Sequence, residues 1–452
     1  MRRVVLSLLV VFVGCGGPAT VEPDAGGPAP DAGPSDAGGS DAGAHDAGGD
    51  AGAPDAGSDA GSTDAGSTDA GSTDAGSIDA GSIDAGSDAG SIVDAGDADA
   101  GSADAGLADA GLPDAGFDAG LGPDFPIEGF GAATKGGWQP GFDEVLVTNL
   151  NDSGPGSLRD ALDNPPGPRL VRFALDGTIT LANSIFVPSN VTIDGRGHSI
   201  VITGKGLILL GTDDVIITHL TIQDVGPNSE DGLRIGDPTF GPSERVVVDH
   251  VTFRATGNHG DSANVDEAMS IIFGSRDITL AWLRFENWEK VLLVGNGDAS
   301  QMVDAAITVS WHHSYFKSTG RRHPQMRYGV MDQWNCFYDD WHMYDWFYLA
   351  PYRESFGAQS QDFARIRVEN ALFRRTVHSK DALSQANDAT RCETNGTLDG
   401  VGLVTTADST APLVFGNGCS GSTGWVRPYA ITLDAADATL RTRLETQSGN
   451  VP

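Results

Sequence analysis

Apolar residues recur through residues 123–452 in short blocks of eight that share one layout. The blocks are VIITHLTI (215–222), VVVDHVTF (246–253), ITLAWLRF (278–285), VSWHHSYF (309–316), MDQWNCFY (331–338) and IRVENALF (366–373), each ending in an aromatic residue or Ile. Their starts lie 31, 32, 31, 22 and 35 residues apart, with Gly, Asn, Asp and Ser between them and few long helical patterns. Short β segments repeating at this period predict a solenoid, in which each repeat buries its apolar face only against its neighbours. Unequal spacing follows if loops of different length leave one side of each turn. The strands would stack in parallel, with inward Val, Ile, Leu and Phe as the core. An antiparallel sandwich is the alternative, but it needs hairpin turns every 8–12 residues, and few are present.

The pattern stops abruptly before residue 123. Residues 16–122 are Asp, Ala and Gly with Ser, Thr and Pro interspersed, and they lack the apolar residues needed for a core. Such a segment is expected to be a disordered linker. Residues 1–15 have Arg2 and Arg3, the apolar run VVLSLLVVFV, then Gly14 and Cys15. This reads as a secretory signal, too short to span a bilayer as a mature helix. A Cys after a small residue resembles a bacterial lipobox, with Phe12 where that pattern usually has Leu; Cys15 would become the lipidated N-terminus. Gly16 stands where an inner-membrane retention signal has Asp, so the expectation is a secreted lipoprotein on the outer membrane. A cut elsewhere would leave a free secreted protein. Either way, residues 123–452 remain as one large domain.

Charge adds a restriction. The formal net charge is −34, but residues 1–122 hold 22 acidic residues against two arginines, leaving 40 acidic and 26 basic residues in the domain. The net acidity argues against nucleic acid as a partner. The Asp residues of the linker are separated by Gly and offer no fixed ligand geometry, so a calcium-binding repeat is the weaker reading. As a flexible tether of about 100 residues the linker reaches roughly 55 Å. Cys392 and Cys419 flank Gly/Thr/Asn-rich segments and are candidates for a disulfide in an oxidising compartment. Cys336 sits in a strand pattern and reads as a buried thiol.

Within an acidic domain, a basic cluster is informative. The block 309–316 runs on into RHPQMR at 322–327, which places Arg322 and Arg327 five residues apart around Pro324. The pair suggests a local anion site; two surface arginines on a loop is the plain alternative. Lys290, in EKVLLVG at 289–295, precedes an apolar strand, where a lysine is often merely solvated. Asp231 lies in EDGLRI (230–235) and Asp266 in DEAMSI (266–271), on what would be adjacent rungs. Adjacent parallel strands are about 4.8 Å apart, so the two carboxylates could share one ion; turn caps are the other reading. Glu230 and Glu267 are their neighbours, and on a strand a neighbour points to the opposite face.

Together these motifs resemble the pectate lyase and pectin lyase family. EGFGAATKGG (128–137), VTNLNDSGPGSLRDA (147–161), FALDGTI (173–179), NVTIDGRG (190–197) and VDH (248–250) precede the Lys290 and Arg322 segments in the family's order. The resemblance implies a right-handed parallel β-helix, an all-β fold, that cleaves polygalacturonate by β-elimination, usually with Ca²⁺. It implies Arg322 as catalytic base, Lys290 and Arg327 as substrate-binding residues, and Asp231 and Asp266 as metal ligands. An arginine base is chemically demanding, since its reference pKa is about 12.5 or above; a purely electrostatic clamp is the alternative role. Two carboxylates usual in the family are replaced, by Ser270 and Ser229, which predicts weak calcium binding. Two alternatives follow: action on esterified pectin without calcium, and a non-catalytic carbohydrate-binding β-helix. The expected partner is an acidic polysaccharide, the expected membrane contact is the N-terminal lipid alone, and the expected state is a monomer. Asp249 with His250 reads as a structural pair. Adjacent His312 and His313 cannot both face one metal. Ser314 stands where a stacking Asn is common, and Asn335 and Asn370 are candidates for such a ladder. The aromatic run 341–348 suits sugar subsites or a cover over the core. Asp213, Asp214 and His259 only superficially match a hydrolytic polygalacturonase.

Overall fold

The computed structural model describes residues 123, 125–164, 166–226, 231–256, 266–297, 300–341, 356–376 and 387–451. All belong to the unit Leu107–Pro452. The leader with Cys15, the linker 16–122, Ser229, Glu230, His259 and the aromatic run after Trp341 lie outside the described residues.

Every strand pairing among the named strands is parallel, and the strands form sheets of ten, eight and nine. Neighbours within a sheet come from successive turns of the chain, so each turn contributes one strand to each sheet. The result is the parallel solenoid that the repeat predicts, in the form of the right-handed β-helix that the resemblance implies; parallel crossovers favour this hand.

The blocks of eight are not single strands. Each spans the end of a ten-stranded-sheet strand, a bend, and a nine-stranded-sheet strand, as in Glu244–Asp249 followed by Thr252–Arg254. The bend is the fifth residue of every block: His219, His250, Trp282, His313, Asn335 and Asn370, with φ between 46° and 54°. Left-handed backbone costs a non-glycine residue about 1–2 kcal/mol. Stacking offsets part of that: rings of His219 and His250 lie 4.7 Å apart, His250 and Trp282 5.6 Å, Trp282 and His313 4.5 Å. Asn335 and Asn370 continue the ladder, with Asn335 Nδ2 donating to the Asn370 carbonyl at 3.2 Å. Ser314 is beside the bend, not in it; its hydroxyl accepts from Trp311 Nε1 at 2.9 Å. The Asp249 carboxylate accepts from His250 Nδ1 at 2.7 Å, a pair that sits at the bend and away from the eight-stranded sheet.

The last residue of each block points inward. Phe253, Phe285, Phe316, Tyr338 and Phe373 stack in register, with centroids 5.0, 5.5, 4.8 and 4.4 Å apart. Trp288, Trp311 and Trp341 are also fully buried in this core, so Trp341 covers it and does not line a sugar subsite. Cys336 is free and buried, its thiol pushed up to about 12 by burial. Cys392 and Cys419 are bonded to each other. No helix among the described residues is long and apolar enough to cross a membrane.

The C-terminal segment runs back along the ladder face. The Asp434 carbonyl accepts from Asn335 Nδ2 at 2.8 Å and Asn370 Nδ2 at 2.9 Å. Arg427 forks onto the fully buried Asp332 at 2.6 and 2.8 Å, and Tyr429 donates to the same carboxylate at 2.8 Å. The helix Ala438–Gln447 packs Leu440 and Leu444 against Tyr315, Phe337 and Leu372.

Candidate active site

The eight-stranded sheet carries the candidate chemistry. In chain order its strands are β1 (Ile185–Phe186), β2 (Leu207–Leu209), β3 (Leu233–Ile235), β4 (Met269–Ile271), β5 (Leu292–Val294), β6 (Gln325–Arg327), β7 (Ala358–Gln361) and β8 (Thr390–Cys392). Strand alternation sends Leu207, Leu233, Met269 and Leu292 into the core, all fully buried. The intervening positions pair across the sheet as Phe186, Ile208, Arg234, Ser270, Leu293, Gln325, Gln359 and Arg391. This row faces outward and floors a groove along the coil.

The carboxylates enter the groove just before their strands. Asp231 precedes β3, and Asp266 and Glu267 precede β4. One carboxylate oxygen from each lies within 4.8 Å of the others. They share a cleft of about 250 Å³ with Arg234, Ser270, Ile208, Leu293 and Asn296. The cations come one and two rungs further on. Lys290 Nζ donates to Asp266 Oδ1 at 2.8 Å. Arg322, at φ 67°, pairs with the buried carboxylate of Glu267. Its neighbour His323 is fully buried, held by Thr319 Oγ1 at 2.7 Å and the Phe356 carbonyl at 2.8 Å, which anchors this turn. Arg327 ends β6 and pairs with Asp362 at 3.3 Å.

Asp231, Asp266, Lys290 and Arg322 therefore lie close together, Arg322 through Glu267. Arg327 stands at the other end of its strand, in a separate ion pair. The reading of Glu267 needs correction. Opposite-face alternation applies only inside a strand, and residues 266–267 lie ahead of β4, where the backbone lets both side chains reach the cleft. Arg234 was also missed, although apolar Leu233 and Ile235 on either side place it outward by simple alternation.

Burial and the neighbouring Asp266 push the Asp231 carboxyl up to about 7, against the pull of a hydrogen bond with Ser270. The cleft thus concentrates negative charge in little water, and its donors are hard oxygens. That combination fits Ca²⁺, with Asp231, Asp266 and Glu267 as the residues that would hold it. Ser270 contributes only a neutral oxygen. Two results are expected from calorimetry of calcium binding without substrate. Ser270→Asp should tighten binding by about tenfold, through added ligand charge. Wild-type affinity should fall as pH drops below about 7, because a proton then competes with calcium for Asp231. Equal affinities for both proteins would place residue 270 outside the metal site, and a flat profile from pH 8 to 6 would remove Asp231 from it.

The major cedar-pollen allergen Jun a 1 superposes with a TM-score of 0.56 at 20% identity, covering 72% of this chain and 92% of that one, which shows a shared fold. The chain belongs to the pectate lyase family: residues 178–419 match its model. The probable pectate lyase P56 of Solanum lycopersicum is 30% identical over 237 residues, 48% of this chain and 56% of the relative. The pectate trisaccharide-lyase of Bacillus licheniformis is 28% identical over 256 residues, 55% of this chain and 68% of the relative. The chain thus spans little more than half the length of the tomato relative.

Proposed function

We propose that this chain cleaves polygalacturonate by β-elimination, with calcium held by Asp231, Asp266 and Glu267. The observation that carries the reading is the meeting of three carboxylates with Lys290 and Arg322 on successive rungs of one groove.

The reaction removes the proton on C5 of a galacturonate, beside its carboxylate, and expels the glycosidic oxygen at C4. Bound calcium would neutralise the substrate carboxylate and so lower the cost of negative charge building up next to it. Arg322 is the group placed to accept the C5 proton. Its ion pair with the buried Glu267 orients the guanidinium in the groove. Lys290 lies between the cluster and Arg322, placed to hold a sugar carboxylate by a charge-assisted hydrogen bond. Arg327, one strand-length away, binds a neighbouring sugar acid. The expectation that calcium binds much better once a substrate carboxylate completes the shell follows from the neutral Ser270.

A second reading, action on esterified pectin without calcium, draws on the neutral Ser270 in the cleft. Assaying unsaturated product on polygalacturonate and on highly esterified pectin, each with and without chelator, separates the two. Chelator-sensitive activity on polygalacturonate supports the first; chelator-resistant activity on esterified pectin supports the second.

The proposed setting is outside the cell, on the outer membrane, with Cys15 as the lipid anchor and residues 16–122 as tether. Every matched motif lies after residue 123. Removing residues 1–122 should therefore leave turnover of soluble substrate within about twofold, the scatter expected of changes remote from a site. A folded but inactive 123–452 chain would overturn that assignment.

A further inference from the structure

The outward row of the eight-stranded sheet holds a cation that the proposed chemistry does not use. Arg234 lies between Ile208 and Ser270 in the row and lines the same cleft as Asp231 and Asp266. Its side chain is 34% exposed, enough to meet a ligand. Nη2 donates to Asp237 at 3.1 Å. Asp237 is already engaged by its own turn, accepting from Thr239 N at 2.8 Å and Phe240 N at 3.2 Å. Nε of Arg234 is buried and has no hydrogen-bond partner. A buried guanidinium donor without an acceptor is costly unless a ligand supplies one.

The position gives that ligand a chemistry. Arg234 is on the β3 rung, Lys290 borders β5, and Arg322 borders β6, so the cations are spread along the groove with the carboxylate cluster between them. Rungs are about 4.8 Å apart, a spacing comparable to one sugar of a chain laid along the groove. Polygalacturonate carries a carboxylate on every sugar. Beyond Arg234 the row turns apolar, with Ile208 and then Phe186, which is 59% exposed. Arg234 is thus the last cation of the row on that side.

We propose that Arg234 binds the free carboxylate of a sugar on the β2–β3 side of the reacting one and selects acid over methyl ester there. This rests on the polygalacturonate reading of the same groove. A guanidinium fork recognises two anionic oxygens; a methyl ester offers no charge and no matched pair of oxygens. A cation beside the carboxylate cluster also opposes calcium in the empty groove, so its removal should act on metal and on substrate in opposite directions.

The test uses the full chain. For Arg234→Gln, KM on polygalacturonate should rise by about tenfold, the scale of one charge-assisted hydrogen bond, with kcat changed much less. KM on highly esterified pectin should not move. Arg234→Lys should restore part of the loss, and calcium binding without substrate should tighten in Arg234→Gln. Asp237→Asn, which keeps the cation and removes its ion-pair partner, should not reproduce the KM effect; if it does, Arg234 acts only by holding the 237–240 turn and the inference fails. Equal loss on both substrates, or none on either, also overturns it. Should the wild type turn over neither substrate, the lyase reading fails separately. Retardation in native gels containing polygalacturonate or esterified pectin then decides the inference: Arg234→Gln must lose retardation by polygalacturonate alone, and any other pattern rejects it.

Discussion

Arg322→Lys should lower turnover of polygalacturonate by about 10²–10⁴-fold, the range for removing a positioned general base. The substitution is chosen for what it preserves. Glu267 is 4% exposed and pairs with Arg322, so an uncharged replacement would leave a buried carboxylate without its cation. Lysine keeps the charge while removing the planar fork and shortening the reach. The protein should stay folded, with thermal unfolding close to wild type, and kcat should collapse at saturating calcium and substrate. A variant retaining more than about a tenth of wild-type kcat, a barrier change below about 1.4 kcal/mol, would show that Arg322 is a clamp and not the base.

The second large effect is on stability, and it is remote from the groove. Arg427→Met should destabilise the fold by about 3 kcal/mol, the cost of stripping one partner from a buried ion pair. Asp332 is fully buried, and Arg427 supplies two of its hydrogen bonds, reaches Glu369 at 2.8 Å, and lies 5.7 Å from the Trp334 ring. Tyr429 alone cannot neutralise the charge left behind. Denaturant unfolding should show a lower midpoint, with kcat unchanged under conditions where the variant is folded. A loss below about 1 kcal/mol would mean that water reaches Asp332 once the arginine is gone.

The repeat was legible because five of the six blocks end in a residue of the aromatic stack, from Phe253 to Phe373, and the sixth ends in the buried Ile222. The bend within each block was not. Asn and His adopt left-handed backbone more readily than most residues, but Trp does not; the His and Trp bends are aligned by ring stacking between turns, a contact distant in sequence. The same limit explains the ladder, where His313 and not Ser314 occupies the bend. Lys290, Arg322, Asp231 and Asp266 were legible from their motifs, and the groove brings them together. Glu267 was lost to an alternation rule applied one residue outside the strand where it holds. Arg234 was visible in the pattern but had no motif to mark it.

The central claim is elimination, as distinct from hydrolysis or simple binding, and the ultraviolet absorbance of an unsaturated uronate reports it directly. With wild-type protein, polygalacturonate and calcium, absorbance should rise steadily, stop on addition of chelator, and resume when calcium is restored. New reducing ends appearing without that absorbance, or binding of polygalacturonate with neither, would contradict the account.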